Sequence, residues 1–220
     1  MSKEIYMKTL FKALNLLLKP KILKFFISNY DNGYLNEIGF FESYIKKASI
    51  NKDGEPIPWV TYSYIFFIQE RLSDKMNILE FGSGYSTLYY SRQVKTVYSI
   101  EHDKKWFENF KIDFPQNVKF FLKKFDFELI ELIEKEIHVK FDIILVDGIE
   151  RNYYLMNSLS FLKKSGVIIL DDSEREDYCE GVNYLINKGF KKIDFWGISP
   201  GYFSNKCTSI FYRKINCLKI

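Results

Sequence analysis

Between residues 77 and 187, short apolar runs alternate with amphipathic stretches. The runs are NILEF (77–81), TVYSIE (96–101), VKFFL (118–122), FDIILVD (141–147) and GVIILDD (166–172). Each has the length of a strand, and each precedes a stretch of helical period, at 86–92, 104–110, 128–137, 153–162 and 178–187. The cores IILV and VIIL are apolar without a break. A strand of that kind is buried on both faces, as in a parallel sheet covered by helices. The alternation therefore predicts a doubly wound α/β sheet. It ends with KKIDFWGI (191–198) and TSIFYRK (208–214), two strand-like runs joined by the loop-like SPGYFSNKC, with no helical pattern between them. Two such strands should pair antiparallel. The expected fold is a mostly parallel sheet with an antiparallel C-terminal hairpin at one edge.

The first 58 residues have a different texture. Ile5, Tyr6, Leu10, Leu14, Leu17 and Leu18 fall at helical spacing until Pro20 ends or kinks the helix. A second apolar-periodic stretch covers 36–48, and NKDGEPIP then marks a loop. The division read from this is a helical N-terminal extension over 1–58 and one α/β domain over 59–220.

Composition narrows the classes. With 220 residues, 47% hydrophobic, there is apolar material for one sizeable core and too much for a disordered chain. Lys and Arg number 32 against 28 acidic residues, a net charge of +4, and no dense basic stripe suggests a nucleic-acid partner. No apolar run approaches the roughly 20 residues of a membrane span, and the N-terminus lacks a secretory pattern. Cys179, Cys207 and Cys217 form no metal or disulfide spacing, which points to a reducing, cytoplasmic setting. Lys3, Lys8, Lys12 and Lys19 accompany the apolar stripe of 3–18. That segment could lie on an anionic membrane, dock a partner, or pack on its own domain.

In open α/β sheets ligands bind beyond the carboxyl ends of the strands. The first strand ends in Glu80-Phe81-Gly82-Ser83-Gly84-Tyr85-Ser86-Thr87. Gly82 and Gly84 let backbone approach a ligand, and Ser86 and Thr87 can cap the next helix. A dinucleotide site would want a third glycine where Thr87 stands, so the pattern leaves room for a nucleoside without a pyrophosphate. Glu101, at the end of the second strand, is placed to accept ribose hydroxyls. His102 follows it, and Asp126 follows the third strand, where an adenine amino group could be read or a helix capped. Asp147 ends the fourth strand, and Asp171 and Asp172 end the fifth. If those strands are neighbours, three carboxylates converge and need compensation by a proton, a cation or Arg151. Hard divalent ions such as Mg²⁺ take oxygen ligands of this kind.

Taken in order, LEFGSGYST, VYSIEHD, DIILVDG, GVIILDD and the closing TSIFYR resemble the class I S-adenosylmethionine-dependent methyltransferases, over about 59–214. The resemblance implies a seven-stranded, Rossmann-like sheet whose last strand is antiparallel. It implies that Gly82, Ser83 and Gly84 contact the donor's methionine part with Glu80 behind them. Glu101 would hold the ribose, His102 and Asp126 would flank the adenine, and Asp147 would lie at the donor–acceptor junction. The PWVTY stretch (58–62) falls where that family often places a helix over the donor, which makes Thr61 and Tyr62 candidate contacts. Asp147, Asp171 and Asp172 also look like the metal set of catechol-type O-methyltransferases. Those enzymes usually carry Asn at the last position. FGSGYST with SIEHD is similar, too, to methyltransferases associated with bacterial surface polysaccharides.

The expected activity is methyl transfer from S-adenosylmethionine to an oxygen of a small molecule or sugar. The proton acceptor is Asp147 or Asp171, or a bound cation activates the hydroxyl, and Arg151 orients the substrate or neutralises the aspartates. The rival readings are an NAD-dependent oxidoreductase and a non-catalytic module that docks through its N-terminal helix.

Overall fold

The structure is a computed structural model of the chain, and it describes residues 15, 18–110, 114–123, 130, 133, 135 and 137–220, with only the backbone of 109 and 110. Asp126, most of the 128–137 stretch and the apolar stripe up to Leu17 lie outside these residues.

Helices α1 (Pro20–Asn32), α2 (Tyr34–Glu37) and α3 (Phe40–Lys46) lead into α4 (Tyr62–Gln69). The alternating region follows as β1 (Asn77–Phe81), α5 (Tyr85–Ser91), β2 (Thr96–Glu101), α6 (Lys104–Phe110), β3 (Val118–Leu122) and β4 (Phe141–Val146). Then come α7 (Arg151–Asn157), β5 (Leu162–Leu170), α8 (Cys179–Asn187), β6 (Lys191–Ser199) and β7 (Tyr202–Tyr212). The seven strands form one sheet in the order β3-β2-β1-β4-β5-β7-β6. β1 to β5 are parallel, while β7 runs antiparallel to both β5 and β6. This is the mostly parallel seven-stranded sheet with an antiparallel C-terminal pair that the sequence predicts.

Side-chain alternation divides the core into two layers. Ile78, Ile143, Leu145, Val167 and Ile169 pack on one face against Tyr64, Ile65 and Ile68 of α4 and Tyr90 of α5. Leu79, Phe81, Ile144, Val146, Ile168 and Leu170 pack on the other face with Tyr154 and Leu155 of α7 and Leu185 of α8. All six residues of β4 are buried, as its unbroken apolar run requires. Ile38, Phe40 and Ile57 join the first layer, so the stretch before Trp59 shares the core of the sheet.

Pro20 stands in the first turn of α1, where no N–H is needed, and the helix that it should end or kink lies outside the described residues. Two elements differ from expectation. β5 begins at Leu162, not at 166. Leu162 pairs with Phe141 across an irregularity, and Lys163 Nζ reaches the Asp142 carboxylate at 2.7 Å. LKKS has no strand-like apolarity, so its period reads as the end of a helix. β7 starts at Tyr202 because Pro200 and Gly201 make a two-residue turn, with Ser199 paired to Tyr202. Backbone pairing extends the hairpin through a polar stretch that looks like a loop in the sequence.

Chain order places the site. β1 is flanked by β2 on one side and β4 on the other, so the connections leave it in opposite directions. The carboxyl ends of β1 and β4 open a crevice at that reversal.

Candidate active site

The turn after β1 forms one wall of that crevice. Gly82 has φ +106°, and a Cβ there would lie 3.2 Å from the backbone of Asp147 and Gly148. Gly84 has φ +154°, and its Cβ would meet the Trp106 indole at 3.3 Å. Side chains at either position would be strained and would fill the cleft. The Trp106 indole N–H donates to the Ser83 carbonyl at 2.6 Å, which ties α6 to the turn.

Glu80 lies behind the turn, almost wholly buried. It shares the sheet face of Ile78, and α5 therefore aims hydroxyls at it. Ser86 Oγ donates to Oε1; Thr87 Oγ1 lies 2.5 Å and Ser99 Oγ 3.0 Å from Oε2. Thr87 Oγ1 also accepts the Gly84 N–H at 3.1 Å. Burial pushes the Glu80 carboxyl up to about 7, against the pull of these hydroxyls. Glu80 and Thr87 thus brace the glycine turn from beneath. Neither lines the cleft.

Glu101 stands across from the turn. Its Oε1 accepts the N–H groups of His102 and Asp103 at 2.7 and 2.8 Å, with His102 Nδ1 at 3.0 Å. Its Oε2 accepts the Ser83 hydroxyl at 2.8 Å. A carboxylate oxygen can take two donors, so Oε2 keeps acceptor capacity toward the cavity. That cavity, of about 390 Å³, is lined by Trp59, the 82–86 turn, Glu101 to Asp103, Trp106 and Asp147 to Arg151 except Glu150.

Asp147 also borders a second cavity of about 430 Å³, walled by Trp59, Asp171, Asp172, Glu174, Arg175, Tyr202, Ser204, Asn205 and Lys206. The Trp59 indole donates to the Pro200 carbonyl at 2.9 Å and meets the Tyr202 ring edge-on, with centroids 6.3 Å apart. Trp59 and Asp147 stand between the two spaces.

The three aspartates converge because β4 and β5 are parallel neighbours. Arg151 answers them from α7: Nε donates to the Gly148 carbonyl at 2.8 Å, Nη2 to the Asp147 carbonyl at 3.1 Å, and Nη1 to the Asp171 carbonyl. Its Nη2 also lies 3.1 Å from Asp147 Oδ1. Asp172, in a left-handed backbone conformation at φ +53°, pairs with Lys206 and Arg175, each at 2.5 Å. Asp171 Oδ1 accepts the Thr208 hydroxyl at 2.7 Å, and Oδ2 lies 3.5 Å from Lys206 Nζ. Although a quarter of the Asp147 side chain meets solvent, burial of the rest pushes its carboxyl up to about 6, with Arg151 pulling the other way. Burial and the neighbouring aspartates raise Asp171 as well. Burial would also raise Asp172, but Lys206, Arg151 and Arg175 hold it below the usual range.

The expected metal set does not fit this arrangement. Each of the three carboxylates already has a protein cation, and among the described residues no group of three or more His, Cys, Asp or Glu side chains is placed to hold a metal ion. The sequence left the compensation open between a proton, a cation and Arg151; in the structure Arg151, Lys206 and Arg175 stand against the carboxylates, and the upward shifts of Asp147 and Asp171 favour a proton there as well.

Of the candidates read from sequence, Gly82, Ser83, Gly84, Ser86, Glu101, His102, Asp147 and Arg151 line the first cavity; Asp171 and Asp172 line the second. Thr61 and Tyr62 lie elsewhere. Both are buried: the Thr61 hydroxyl donates to the Phe195 carbonyl of β6 at 2.9 Å and its N–H to the Thr208 hydroxyl of β7, while Tyr62 lies in the first core layer. The PWVTY stretch contributes Trp59 instead. Trp106 and Lys206 are the other residues the pattern missed. An aromatic residue on an amphipathic helix reads as core, and Lys206 lies in a stretch that reads as loop.

No family model and no curated protein matches this sequence. Solved structures do match. A precorrin-8w decarboxylase of Methanobacterium thermoautotrophicum aligns at TM-score 0.54 and 18% identity, over 77% of this chain and 98% of its own. The O-methyltransferase TomG of Streptomyces achromogenes, crystallised with S-adenosylmethionine, aligns at 0.52 and 14%, over 69% and 79%. An O-methyltransferase of Bacillus cereus in complex with S-adenosylhomocysteine aligns at 0.50 and 17%, over 67% and 78%. At such identities the likeness is one of fold, and it agrees with the strand order above: the chain has the Rossmann-like fold of the class I S-adenosylmethionine-dependent methyltransferases.

Proposed function

We propose that the chain transfers a methyl group from S-adenosylmethionine to an oxygen of a small molecule or sugar. The observation that carries this reading is the first cavity itself. A glycine turn stripped of Cβ atoms faces a carboxylate with spare acceptor capacity, and Asp147 stands at the doorway to a second cavity. O-methyltransferases of the same fold have been crystallised with the donor or its product, which supports the donor assignment.

In this reading Gly82, Ser83 and Gly84 cradle the donor's amino-acid end, and Glu101 accepts from a ribose hydroxyl. His102 and Trp106 flank that space, and Ser86 closes its floor. When bound, S-adenosylmethionine supplies a sulfonium methyl that an oxygen nucleophile takes as the carbon–sulfur bond breaks and its electron pair stays on sulfur. The acceptor enters the second cavity, whose wall carries Trp59 and Tyr202. Asp147 takes the hydroxyl proton as the oxygen–carbon bond forms. Its Oδ1 is engaged by Arg151, and no hydrogen bond to Oδ2 is present among the described residues. Asp171 is less suited, because Thr208 and Lys206 take up its two oxygens. Arg151 serves as the buried brace that fixes Asp147. Holding the acceptor at attack distance supplies on the order of 7–11 kcal/mol of the barrier.

A calorimetric titration with S-adenosylhomocysteine tests the donor site, with NADH as the control. A screen of hydroxylated acceptors for release of S-adenosylhomocysteine then tests the reaction. Binding of NADH in place of the nucleoside would overturn the reading in favour of a hydride-transfer enzyme.

A further inference from the structure

The second cavity has an unusual charge arrangement for a place where a hydroxyl is to be activated. Four carboxylates border it, those of Asp147, Asp171, Asp172 and Glu174, together with two cations: Arg175, paired with Asp172, and Lys206, which comes from β7. Lys206 Nζ stands 2.5 Å from Asp172 Oδ1 and 3.5 Å from Asp171 Oδ2. Its side chain is largely shielded, at 17% exposure, and its ammonium lies 6.0 Å from the centre of the Tyr202 ring. The hairpin turn that carries this stretch is pinned by Trp59 through the Pro200 carbonyl. An ammonium has three donors, and the two aspartate contacts engage two of them.

We infer that Lys206, the cation of the second cavity that reaches both Asp171 and Asp172, keeps a divalent ion from these carboxylates. The inference rests on the methyl-transfer reading only for what the cation does. There, the third N–H of Lys206 meets the acceptor oxygen as its proton leaves for Asp147. A divalent ion favours acceptors that offer two adjacent oxygens as chelating ligands, because it fills several coordination positions with oxygen. An ammonium hydrogen bond needs one oxygen. The acceptor class that follows is an isolated hydroxyl, not a vicinal diol bound as a chelate.

The test uses the full chain, Mn²⁺ as probe and electron paramagnetic resonance of free Mn²⁺ as readout. Wild type is expected to leave the free-ion signal unchanged. K206A and K206M, which expose the carboxylates, are expected to gain Mn²⁺ affinity by about tenfold or more, the factor that corresponds to about 1.4 kcal/mol. K206R should behave as wild type, since it restores the charge. A lysine with only a structural role would not produce that pattern. Stoichiometric Mn²⁺ uptake by wild type overturns the inference, and so does failure of both neutral variants, checked as folded by thermal melting, to take up the ion. S-adenosylhomocysteine titration runs in parallel on all four proteins. If wild type fails to bind it, the methyl-transfer reading falls while the Mn²⁺ result still judges Lys206; if it binds normally and wild type also takes up Mn²⁺, only the Lys206 assignment falls.

Discussion

Replacing Glu101 by Gln removes the charge that the donor's sugar would meet while keeping the size of the side chain. Simple counting would assign Glu101 two hydrogen bonds to a ribose diol. The structure allows fewer. Oε1 is filled by two backbone N–H groups and lies close to His102, and Oε2 has already accepted the Ser83 hydroxyl. One unencumbered bond to a charged acceptor remains, worth about 1.5–3 kcal/mol. Glu101→Gln should therefore weaken S-adenosylhomocysteine binding by about 10- to 150-fold. The amide oxygen can still accept from His102 and Asp103, so the thermal midpoint should move little. Isothermal calorimetry on wild type and variant, at one pH and ionic strength, reads the affinity directly. Equal affinities in a variant that melts like wild type would remove Glu101 from the donor site and with it the argument from spare acceptor capacity. A much larger loss would mean that Ser83 gives way and Oε2 accepts from both ribose hydroxyls.

Glu80→Gln should change the pH dependence of stability. The carboxyl rises from 4.5 to about 7 on folding, so across that interval the native state holds a proton that the unfolded chain has released. Stability therefore falls as pH climbs from about 4.5 to 7, by about 3 kcal/mol at most, and the Gln variant lacks this contribution; urea melts of both proteins from pH 5 to 8 should diverge up to pH 7 and run parallel above it. Asp147→Asn should lower kcat by about 10²–10⁴ with donor affinity nearly kept. The wild-type rate should rise with pH through about 6, where the Asp147 carboxyl ionises, and a variant within tenfold of wild type would place the proton acceptor elsewhere. Thr61→Val should cost about 1 kcal/mol of stability by deleting its bond to the Phe195 carbonyl. Its S-adenosylhomocysteine affinity should equal that of wild type, and a weakened affinity would return Thr61 to the donor site.

The strand ends were legible because two local signals coincide there. Unbroken apolar runs mark β4 and β5, and a parallel connection forces each strand to deliver its last residues to the same edge of the sheet. Glu80, Glu101, Asp147 and Asp171 follow from that rule before any coordinate is known. What each acid does was not legible. Glu80 and Glu101 both end parallel strands, yet Glu80 shares a face with Ile78 and sinks among hydroxyls of α5, while Glu101 turns to the cleft. The difference comes from which helix covers which face. The metal reading failed for the same reason. Three aspartates in sequence look like a ligand set until the fold brings Arg151 from α7 and Lys206 from β7 against them.

The sequence by itself determined the sheet, its parallel half and antiparallel end, and the edge at which ligands gather, because burial period and chain connectivity are local properties. Only the tertiary structure decided that Trp59 rather than Thr61 or Tyr62 walls the cleft, that a hairpin reading as loop furnishes a wall of the second cavity, and that protein cations sit where an ion was expected. Those outcomes depend on contacts between residues as far apart as Trp59 and Pro200, which no periodicity along the chain records.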